Sequence, residues 1–207
     1  MTSRAVVFDC DGVLFDSWHA NVAYYNAIRQ RLGLAPMDPG WQERAHYLAG
    51  SQVIEEMFKH DRALFAEARR IARLIDYDPF YALMEPMPGV YDVLALLRQT
   101  WRLGLATNRG STVPGVVERF GLGAYLDAAV GVLDVARAKP HPDVVLECLK
   151  RLGVAPASAV YVGDAENDLL AARAAGVQFV AVGNGTTSQR AVRDVRDLPA
   201  VLSDLGL

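Results

Sequence analysis

Residues 5–13 read AVVFDCDGV, so that a short apolar run meets two carboxylates, Asp9 and Asp11, and then Gly12. The apolar run has the length of a strand and does not alternate with polar residues, which is typical of a strand buried on both faces. Side chains that follow such a strand line the crevice where open α/β sheets bind ligands, and a glycine there permits a tight turn. Two acids in a loop are also common in Asx turns, so this stretch alone leaves both interpretations open.

The run 159–168, AVYVGDAEND, repeats that layout of strand, glycine and acidic cluster. Asp164 and Asp168 are four residues apart and share a face if a helix begins at Asp164. The competing interpretation makes Asp164 an N-cap and Asp168 a partner of the helix dipole. Three or four carboxylates in one cleft require a cation or raised pKa values, and oxygen ligands favour a hard ion such as Mg²⁺.

Strand-length apolar runs alternate with helical patterns along most of the chain, which predicts a doubly wound parallel sheet of the α/β class. The further predicted strands are 103–106, 128–133, 159–162 and 179–182. The predicted helices between them are 89–98, 112–120, 142–152 and 165–175.

Residues 17–85 interrupt this alternation, because they show four helical patterns and no strand signal. The patterns cover 18–32, 39–49, 52–58 and 63–76. A crossover between parallel strands needs only one helix, so this segment is too long for a simple connection. We therefore predict a core domain formed by 1–16 and 86–207, and an inserted helical domain formed by 17–85.

Two other strand ends carry polar residues. Thr107 and Asn108 follow the run 103–106, and Lys139 precedes Pro140 in the loop after the run 128–133. Taken singly, Thr107 and Asn108 are typical of a turn or a helix cap, and Lys139 is typical of an exposed surface lysine. Together the four loops supply acids, a hydroxyl, backbone amides and a cation, which are the requirements of metal-assisted phosphoryl transfer.

In this order the motifs resemble the haloacid dehalogenase-like hydrolase superfamily, most members of which are phosphatases. The matching motifs are Asp9-x-Asp11-Gly12, Thr107, Lys139-Pro140 and Gly163-Asp164-x-x-x-Asp168. Asp16-Ser17 and the segment 87–90 are similar to the phosphoglycolate-phosphatase-like and phosphomutase-like branches of the family. The resemblance implies a Rossmann-type core with an inserted helical cap at 17–85.

The resemblance also implies chemical roles. Asp9 would be the nucleophile that forms an aspartyl-phosphate, and Asp11 would protonate the leaving oxygen and then activate water. A carboxylate at position 11 favours a phosphate ester over a halide, because the leaving alkoxide must be protonated. Mg²⁺ would bind Asp9, the Asp11 backbone carbonyl and Asp164, while Asp168 would orient the water shell of the metal and Lys139.

The phosphoryl group would then be held by Thr107, Asn108 and Lys139, with Gly12 supporting the first loop. Substrate choice would fall to the inserted domain, since the four core loops contact only the phosphoryl group. The candidates to face substrate are Arg44 and His46, which precede the predicted turn 49–51, and Gly50 within that turn. An arginine there would bind a carboxylate or a second phosphate, although a surface helix connection fits the turn equally well.

Composition argues against several other classes of protein. The 207 residues carry 21 Lys+Arg against 24 Asp+Glu, and the net charge of −3 argues against broad nucleic-acid binding. Two cysteines, Cys10 and Cys148, are too few for a disulfide framework and are expected to pack in the core. Neither a secretory leader nor an apolar run long enough for a membrane is present, so we expect a cytoplasmic protein, as a monomer or small homo-oligomer.

The main hypothesis is a Mg²⁺-dependent phosphatase that acts on a small phosphorylated metabolite. A phosphomutase would use the same Asp9, but helical-capped phosphomutases have an extra acid–base histidine where this chain has Asn21. A signalling receiver domain also joins acids, a threonine and a lysine around a phosphorylated aspartate, but it has neither the second acid at Asp11 nor an insertion. A non-catalytic metal-binding or phospho-acceptor protein is disfavoured, because the acids and Lys139 are all present.

Overall fold

The computed structural model describes residues 4–48, 50–186, 188 and 190–205 of the chain, without the side chains of 46, 47, 50 and 51. The chain divides into two compact units, one formed by Met1–Asp16 with Pro86–Leu207 and the other by Ser17–Glu85. None of the helices within these described residues is long and apolar enough to cross a bilayer.

The described residues form short strands and helices in alternation. The strands are β1 (Ala5–Phe8), β2 (Phe15–Asp16), β3 (Glu85–Pro86), β4 (Arg102–Ala106), β5 (Ala128–Val130), β6 (Ala159–Gly163), β7 (Gln178–Val182) and β8 (Ala191–Val192). The α-helices are α1 (Trp18–Arg31), α2 (Pro39–Tyr47), α3 (Gly50–Phe58), α4 (Arg62–Leu74), α5 (Asp78–Tyr81), α6 (Val90–Leu97), α7 (Val113–Arg119), α8 (Asp143–Leu152), α9 (Glu166–Ala175) and α10 (Leu198–Ser203).

The first unit is built on a parallel sheet with the strand order β5-β4-β1-β6-β7-β8 among the described residues. The chain moves from β1 outward to β4 and β5, then crosses to the other side of β1 and continues through β6, β7 and β8. This reversal lies between β1 and β6, which pair in register through Val7 and Tyr161. In open α/β sheets the carboxyl ends of strands at such a reversal are the usual ligand-binding crevice.

The core explains why β1 is uninterruptedly apolar. Ala5 and Val7 belong to one buried cluster with α8 and α9, while Val6 and Phe8 alternate with them and are equally buried. Because successive side chains of a strand point to opposite faces, both faces of β1 are covered. The predicted doubly wound parallel α/β fold is therefore confirmed.

One glycine sets how closely α8 approaches the sheet. A Cβ at Gly104 of β4 would lie 2.5 Å from Cys148 Sγ and 3.0 Å from Leu152 Cδ1, both on α8. The absent side chain therefore lets α8 pack directly on β4. Cys10 and Cys148 are fully buried, as predicted, and burial raises the pKa of both thiols.

The second unit is helical and has a core of its own. Tyr25 and Ile28 of α1 pack with Val53 of α3 and Ile71 of α4. Asp61 is the N-cap of α4, and its side chain accepts hydrogen bonds from two backbone N–H groups of the first turn. These contacts account for the helical patterns that the sequence shows between 17 and 85.

Three local predictions are wrong. The strand predicted over 128–133 ends at Val130, because the Gly131 N–H donates to the Asp134 carboxylate at 2.9 Å and a 3₁₀ turn follows. Gly50 lies in the first turn of α3 rather than in a connecting turn. Asp164 is neither helical nor the N-cap, because the helix predicted over 165–175 spans Glu166–Ala175 and has Ala165 as its N-cap.

Candidate active site

Three carboxylates meet at the carboxyl ends of β1 and β6. Asp9 follows β1, and its N–H donates to the Val162 carbonyl of β6 at 2.8 Å, which extends the strand pairing by one residue. Asp9, Asp164 and Asp168 each offer a ligand oxygen, and these oxygens lie within 4.8 Å of one another. The sheet reversal thus brings together acids that are more than 150 residues apart in sequence.

Lys139 neutralises two of these acids from inside the protein. Its Nζ lies 2.8 Å from Asp9 Oδ1 and 2.6 Å from Asp168 Oδ1, and its side chain is 3% exposed. Burial alone would lower the pKa of this ammonium group, but Asp168 and Asp9 outweigh burial and hold the pKa above its usual value. Lys139 is therefore a charged residue of the site and not the surface lysine of the competing interpretation.

The Asp168 carboxylate is held by bonds to both oxygens. Oδ2 accepts a hydrogen bond from the Ala165 N–H at 3.1 Å, which caps α9, while Oδ1 accepts from Lys139. The Tyr161 hydroxyl lies 3.1 Å from Oδ1, accepts from Lys139 Nζ at 3.1 Å and is 2.8 Å from the Ala106 carbonyl oxygen. Asp168 is therefore both a first-turn partner of its helix and the support of Lys139.

Charge balance at this cluster favours the binding of a cation. Burial, with nearby carboxylates, raises the pKa of Asp9 to about 7 even though Lys139 opposes the shift. Burial and the charge of Asp9 raise the pKa of Asp164 to about 8. Carboxylates whose ionised forms are this unfavourable, with only oxygen donors around them, fit a hard divalent cation such as Mg²⁺. The residues present therefore suit the metal that the resemblance implies.

Two glycines make room for Asp164. Gly12 has φ +76°, and a Cβ there would overlap the Asp164 carboxylate. A Cβ at Gly185, in the loop after β7, would overlap the Asp164 carbonyl oxygen. Backbone from two loops therefore lies against Asp164, one loop at its carboxylate and the other at its carbonyl oxygen.

We expect Gly185→Ala to weaken Mg²⁺ binding by about 10-fold or more, since groups that orient metal ligands typically change affinity by 10–100-fold. The added methyl group must push the Asp164 backbone away from its present position. Titration calorimetry with Mg²⁺ measures the effect, and Gly123→Ala is the control because its Cβ would meet nothing closer than 3.9 Å. Equal affinities for wild type and Gly185→Ala would show that Asp164 does not depend on this loop.

The loop after β4, which pairs with β1, contributes a hydroxyl and an amide. Thr107 is buried, and its Oγ1 accepts a hydrogen bond from the Arg109 N–H at 3.2 Å. The Asn108 side chain joins this loop to Lys139, because Oδ1 accepts from the Lys139 N–H at 2.8 Å and Nδ2 donates to the Lys139 carbonyl at 3.3 Å. The Asn108 amide thus supports Lys139, and its contact with phosphate stays a prediction.

Asp11 is engaged by a residue that the sequence interpretation missed. The Arg109 guanidinium is buried and forms a bidentate ion pair with the Asp11 carboxylate. Its Nε lies 2.9 Å from Oδ2 and its Nη2 lies 2.6 Å from Oδ1. Tyr161 was also missed, because a tyrosine inside an apolar strand looks like a core residue. The signal for Arg109 was its place directly after Thr107 and Asn108.

The candidate substrate residues in the helical unit are only partly described. Arg44 is exposed on α2, 3.3 Å from Glu56, with its guanidinium over the Trp41 ring. The His46 side chain lies outside the described residues, and for Gly50 the structure describes only its place in α3. Their roles in substrate choice stay predictions.

Comparison with known proteins agrees with this arrangement of motifs. Residues 6–182 match the family described as haloacid dehalogenase-like hydrolase. Phosphoglycolate phosphatase of Chromobacterium violaceum is 34% identical over 200 residues, which cover 88% of this chain and 86% of the relative. Phosphoglycolate phosphatase of Escherichia coli O157:H7 is 37% identical over 210 residues, with 88% and 82% covered.

A solved structure has the same fold over nearly the whole chain. The crystal structure of a HAD-superfamily hydrolase, subfamily IA, variant 1, from Geobacter sulfurreducens PCA superposes with a TM-score of 0.78 and 33% identity. The match covers 97% of this chain and 96% of that chain. With the strand-end acids, the buried lysine and the parallel sheet in place, this chain belongs to the haloacid dehalogenase-like hydrolase family.

Proposed function

We propose that this protein is a Mg²⁺-dependent phosphatase that hydrolyses a small phosphorylated metabolite through an aspartyl-phosphate on Asp9. One observation carries the proposal: the buried Asp9 carboxylate contacts the Lys139 ammonium group at 2.8 Å and lies within 4.8 Å of ligand oxygens of Asp164 and Asp168. A carboxylate attacks a phosphate dianion only where positive charge offsets their repulsion. Lys139 supplies part of that charge, and the acids provide a site for the rest.

The reaction needs two proton transfers, for which Asp11, two residues after Asp9, is the candidate. In the first step an Asp9 oxygen forms a bond to phosphorus, the ester P–O bond breaks, and Asp11 gives a proton to the leaving oxygen. In the second step water attacks the same phosphorus, Asp11 takes the water proton, and the Asp9–phosphorus bond breaks. The products are an alcohol, inorganic phosphate and the original Asp9 carboxylate.

The remaining residues hold the transferring group. Thr107 and the Lys139 ammonium group would bind the equatorial phosphoryl oxygens, while Asp168 and Tyr161 keep Lys139 in place. Asp9, Asp164 and the Asp11 backbone carbonyl would hold the metal. When bound, Mg²⁺ supplies charge neutralisation for the nucleophile and the phosphoryl oxygens.

Phosphoglycolate is the first substrate to test, because the relatives from Chromobacterium violaceum and Escherichia coli carry the name phosphoglycolate phosphatase. Identity of 34–37% over most of both chains supports a related substrate. We further propose that the unit Ser17–Glu85 is the cap that selects the substrate, and that the core loops contact only the phosphoryl group.

We expect the purified chain to release phosphate from phosphoglycolate with Mg²⁺, to lose this activity with excess EDTA, and to recover it when Mg²⁺ is restored. Phosphate release is measured against a panel of sugar phosphates, nucleotides and pyrophosphate with an aryl phosphate as the generic substrate. Turnover that persists in EDTA would contradict the metal requirement. Transfer of the phosphoryl group to a second substrate molecule, without release of phosphate, would identify a phosphomutase instead.

A further inference from the structure

The Tyr161 hydroxyl connects the Lys139 ammonium group to the end of β4. Its oxygen accepts a hydrogen bond from Lys139 Nζ at 3.1 Å, and it lies 2.8 Å from the Ala106 carbonyl oxygen and 3.1 Å from Asp168 Oδ1. A hydroxyl has a single proton to donate, and the Ala106 carbonyl is the nearer acceptor, which leaves an oxygen lone pair for Lys139. Tyr161 is fully buried, so this connection is made inside the core of the sheet unit.

The peptide group between Ala106 and Thr107 is held from both sides. Its carbonyl accepts the hydrogen bond from Tyr161, and its N–H, which belongs to Thr107, donates to the Val130 carbonyl of β5 at 3.0 Å. The Thr107 side chain that follows is buried. The Tyr161 hydroxyl therefore lies between two elements of the site, the start of the Thr107 loop and the Lys139 ammonium group.

The backbone of Lys139 is tied to the same loop by another residue. Asn108 Oδ1 accepts a hydrogen bond from the Lys139 N–H at 2.8 Å, and Asn108 Nδ2 donates to the Lys139 carbonyl at 3.3 Å. These bonds fix the start of the lysine side chain, but a flexible four-carbon stem separates it from the ammonium group. The contacts of Nζ therefore decide where the positive charge lies.

Among the described contacts of Nζ, the one with Tyr161 is neutral and directional. Asp9 and Asp168 attract the ammonium group through charge, with Oδ1 atoms at 2.8 Å and 2.6 Å. Coulomb attraction depends on distance, whereas a hydrogen bond also depends on angle. In the proposed reaction Asp9 loses its negative charge when it bonds to phosphorus, so Tyr161 and Asp168 are the contacts that keep their character through turnover.

We propose that Tyr161 is a positioning residue that fixes the spacing between the Lys139 ammonium group and Thr107, so that both meet the transferring phosphoryl group together. This role rests on the proposed function, in which these two residues bind the same phosphoryl group. A displacement of about 1 Å in a catalytic group can lower turnover by about 100-fold. Tyr161 thus acts on kcat through Lys139, without contact to the substrate.

The kinetic test is Tyr161→Phe, which removes the hydroxyl and keeps the ring that packs beside Phe179. On the substrate of the panel with the fastest turnover, we expect kcat to fall by about 10–100-fold. KM should change by less than about 3-fold, because the charge of Lys139 remains and alignment matters most in the transition state. Tyr91→Phe is the matched control, since the Tyr91 hydroxyl also donates to a backbone carbonyl of this unit, that of Phe120 at 3.2 Å. Both variants should lower the melting temperature, but Tyr91→Phe should keep the wild-type kcat.

A second readout requires no turnover. The chain has three lysines, and the side chains of Lys59 and Lys150 are 47% and 77% exposed, against 3% for Lys139. In protein labelled with ¹⁵N at the lysine side chains, the slowly exchanging ammonium signal should therefore belong to Lys139 and be absent from Lys139→Met. In Tyr161→Phe the protons of this signal should exchange with water about 10-fold faster, while the nitrogen keeps the chemical shift of a charged ammonium group.

Two results would overturn the positioning role. One is a wild-type kcat in Tyr161→Phe with a lowered melting temperature, which would leave Tyr161 as a core residue. The other is unchanged exchange of the Lys139 ammonium protons in the same variant. If Tyr161→Phe does not fold, wild type still decides, because we expect a nuclear Overhauser effect between the ammonium protons and the Tyr161 ring, and its absence would overturn the contact.

Failure of the proposed function has a different signature. If wild type hydrolyses no phosphate ester, aryl phosphate included, the proposed function fails and the role of Tyr161 in turnover falls with it. Faster ammonium exchange in Tyr161→Phe would then still show that Tyr161 holds Lys139. Activity in wild type, with unchanged kcat and unchanged exchange in Tyr161→Phe, would instead leave the proposed function standing and remove Tyr161 from it.

Discussion

Asp9→Asn is expected to lower kcat on phosphoglycolate by about 1,000-fold or more, because an amide is a far weaker nucleophile than a carboxylate. Asparagine has nearly the same shape, so the hydrogen bond from the residue 9 N–H to Val162 is preserved. Phosphate release and circular dichroism, measured on the same preparation, separate lost chemistry from lost structure. Turnover within tenfold of wild type would exclude Asp9 as the nucleophile.

The same variant has a second expected effect, on stability. Burial raises the pKa of Asp9 to about 7, so its stabilising contribution is present below the unfolded pKa of about 4 and is lost as the pH rises through 7. At pH 8 without metal the ionised carboxylate therefore destabilises the folded state, and Asp9→Asn should melt at a higher temperature than wild type. Asp38→Asn is the control, because asparagine caps α2 as well as aspartate does. A lower melting temperature for Asp9→Asn at pH 8 would contradict the charge imbalance described here.

The sequence predicted those features that depend on short segments of chain. Burial of β1 on both faces follows from four consecutive apolar residues. The predicted helices 142–152 and 165–175 end at the same residues as α8 and α9, and a glycine in the left-handed conformation follows each of them. The boundary of β5 was missed because it depends on a side-chain acceptor, Asp134, which draws the backbone of Gly131 out of the strand. Apolar character alone continues through Leu133 and carries no sign of that bond.

The site shows the same division between local and long-range information. The acids, Thr107 and Lys139 were identified because each follows a strand, and parallel strands bring their carboxyl ends together. Tyr161 and Arg109 were missed because their roles depend on partners far away in sequence, Lys139 for the hydroxyl and Asp11 for the guanidinium. The catalytic roles of all these residues, and the substrate role of the helical unit, stay predictions that the variants here address.

Lys139→Met is expected to destabilise the protein by about 3–5 kcal/mol, the usual cost when one partner of a buried ion pair is removed. Methionine fills a similar volume, but Asp9 and Asp168 then lie buried without the cation that both contact. Urea unfolding in EDTA measures the loss. The exposed Lys150 gives the control, since Lys150→Met removes a surface pair with Glu147 and should change the free energy of unfolding by less than about 1 kcal/mol.

A double variant separates the structural role of Lys139 from its role in turnover. Adding Asp168→Asn to Lys139→Met removes one of the two uncompensated carboxylates, so part of the lost stability should return. Activity should not return, because the charge that offsets the repulsion between Asp9 and the phosphate dianion is still missing, and kcat should stay about 1,000-fold below wild type. Recovery of turnover together with stability would show that Lys139 only supports the fold. Recovery of stability alone would show that the buried ammonium group is retained for its action on the phosphoryl group, with the cost of burying it offset by Asp168.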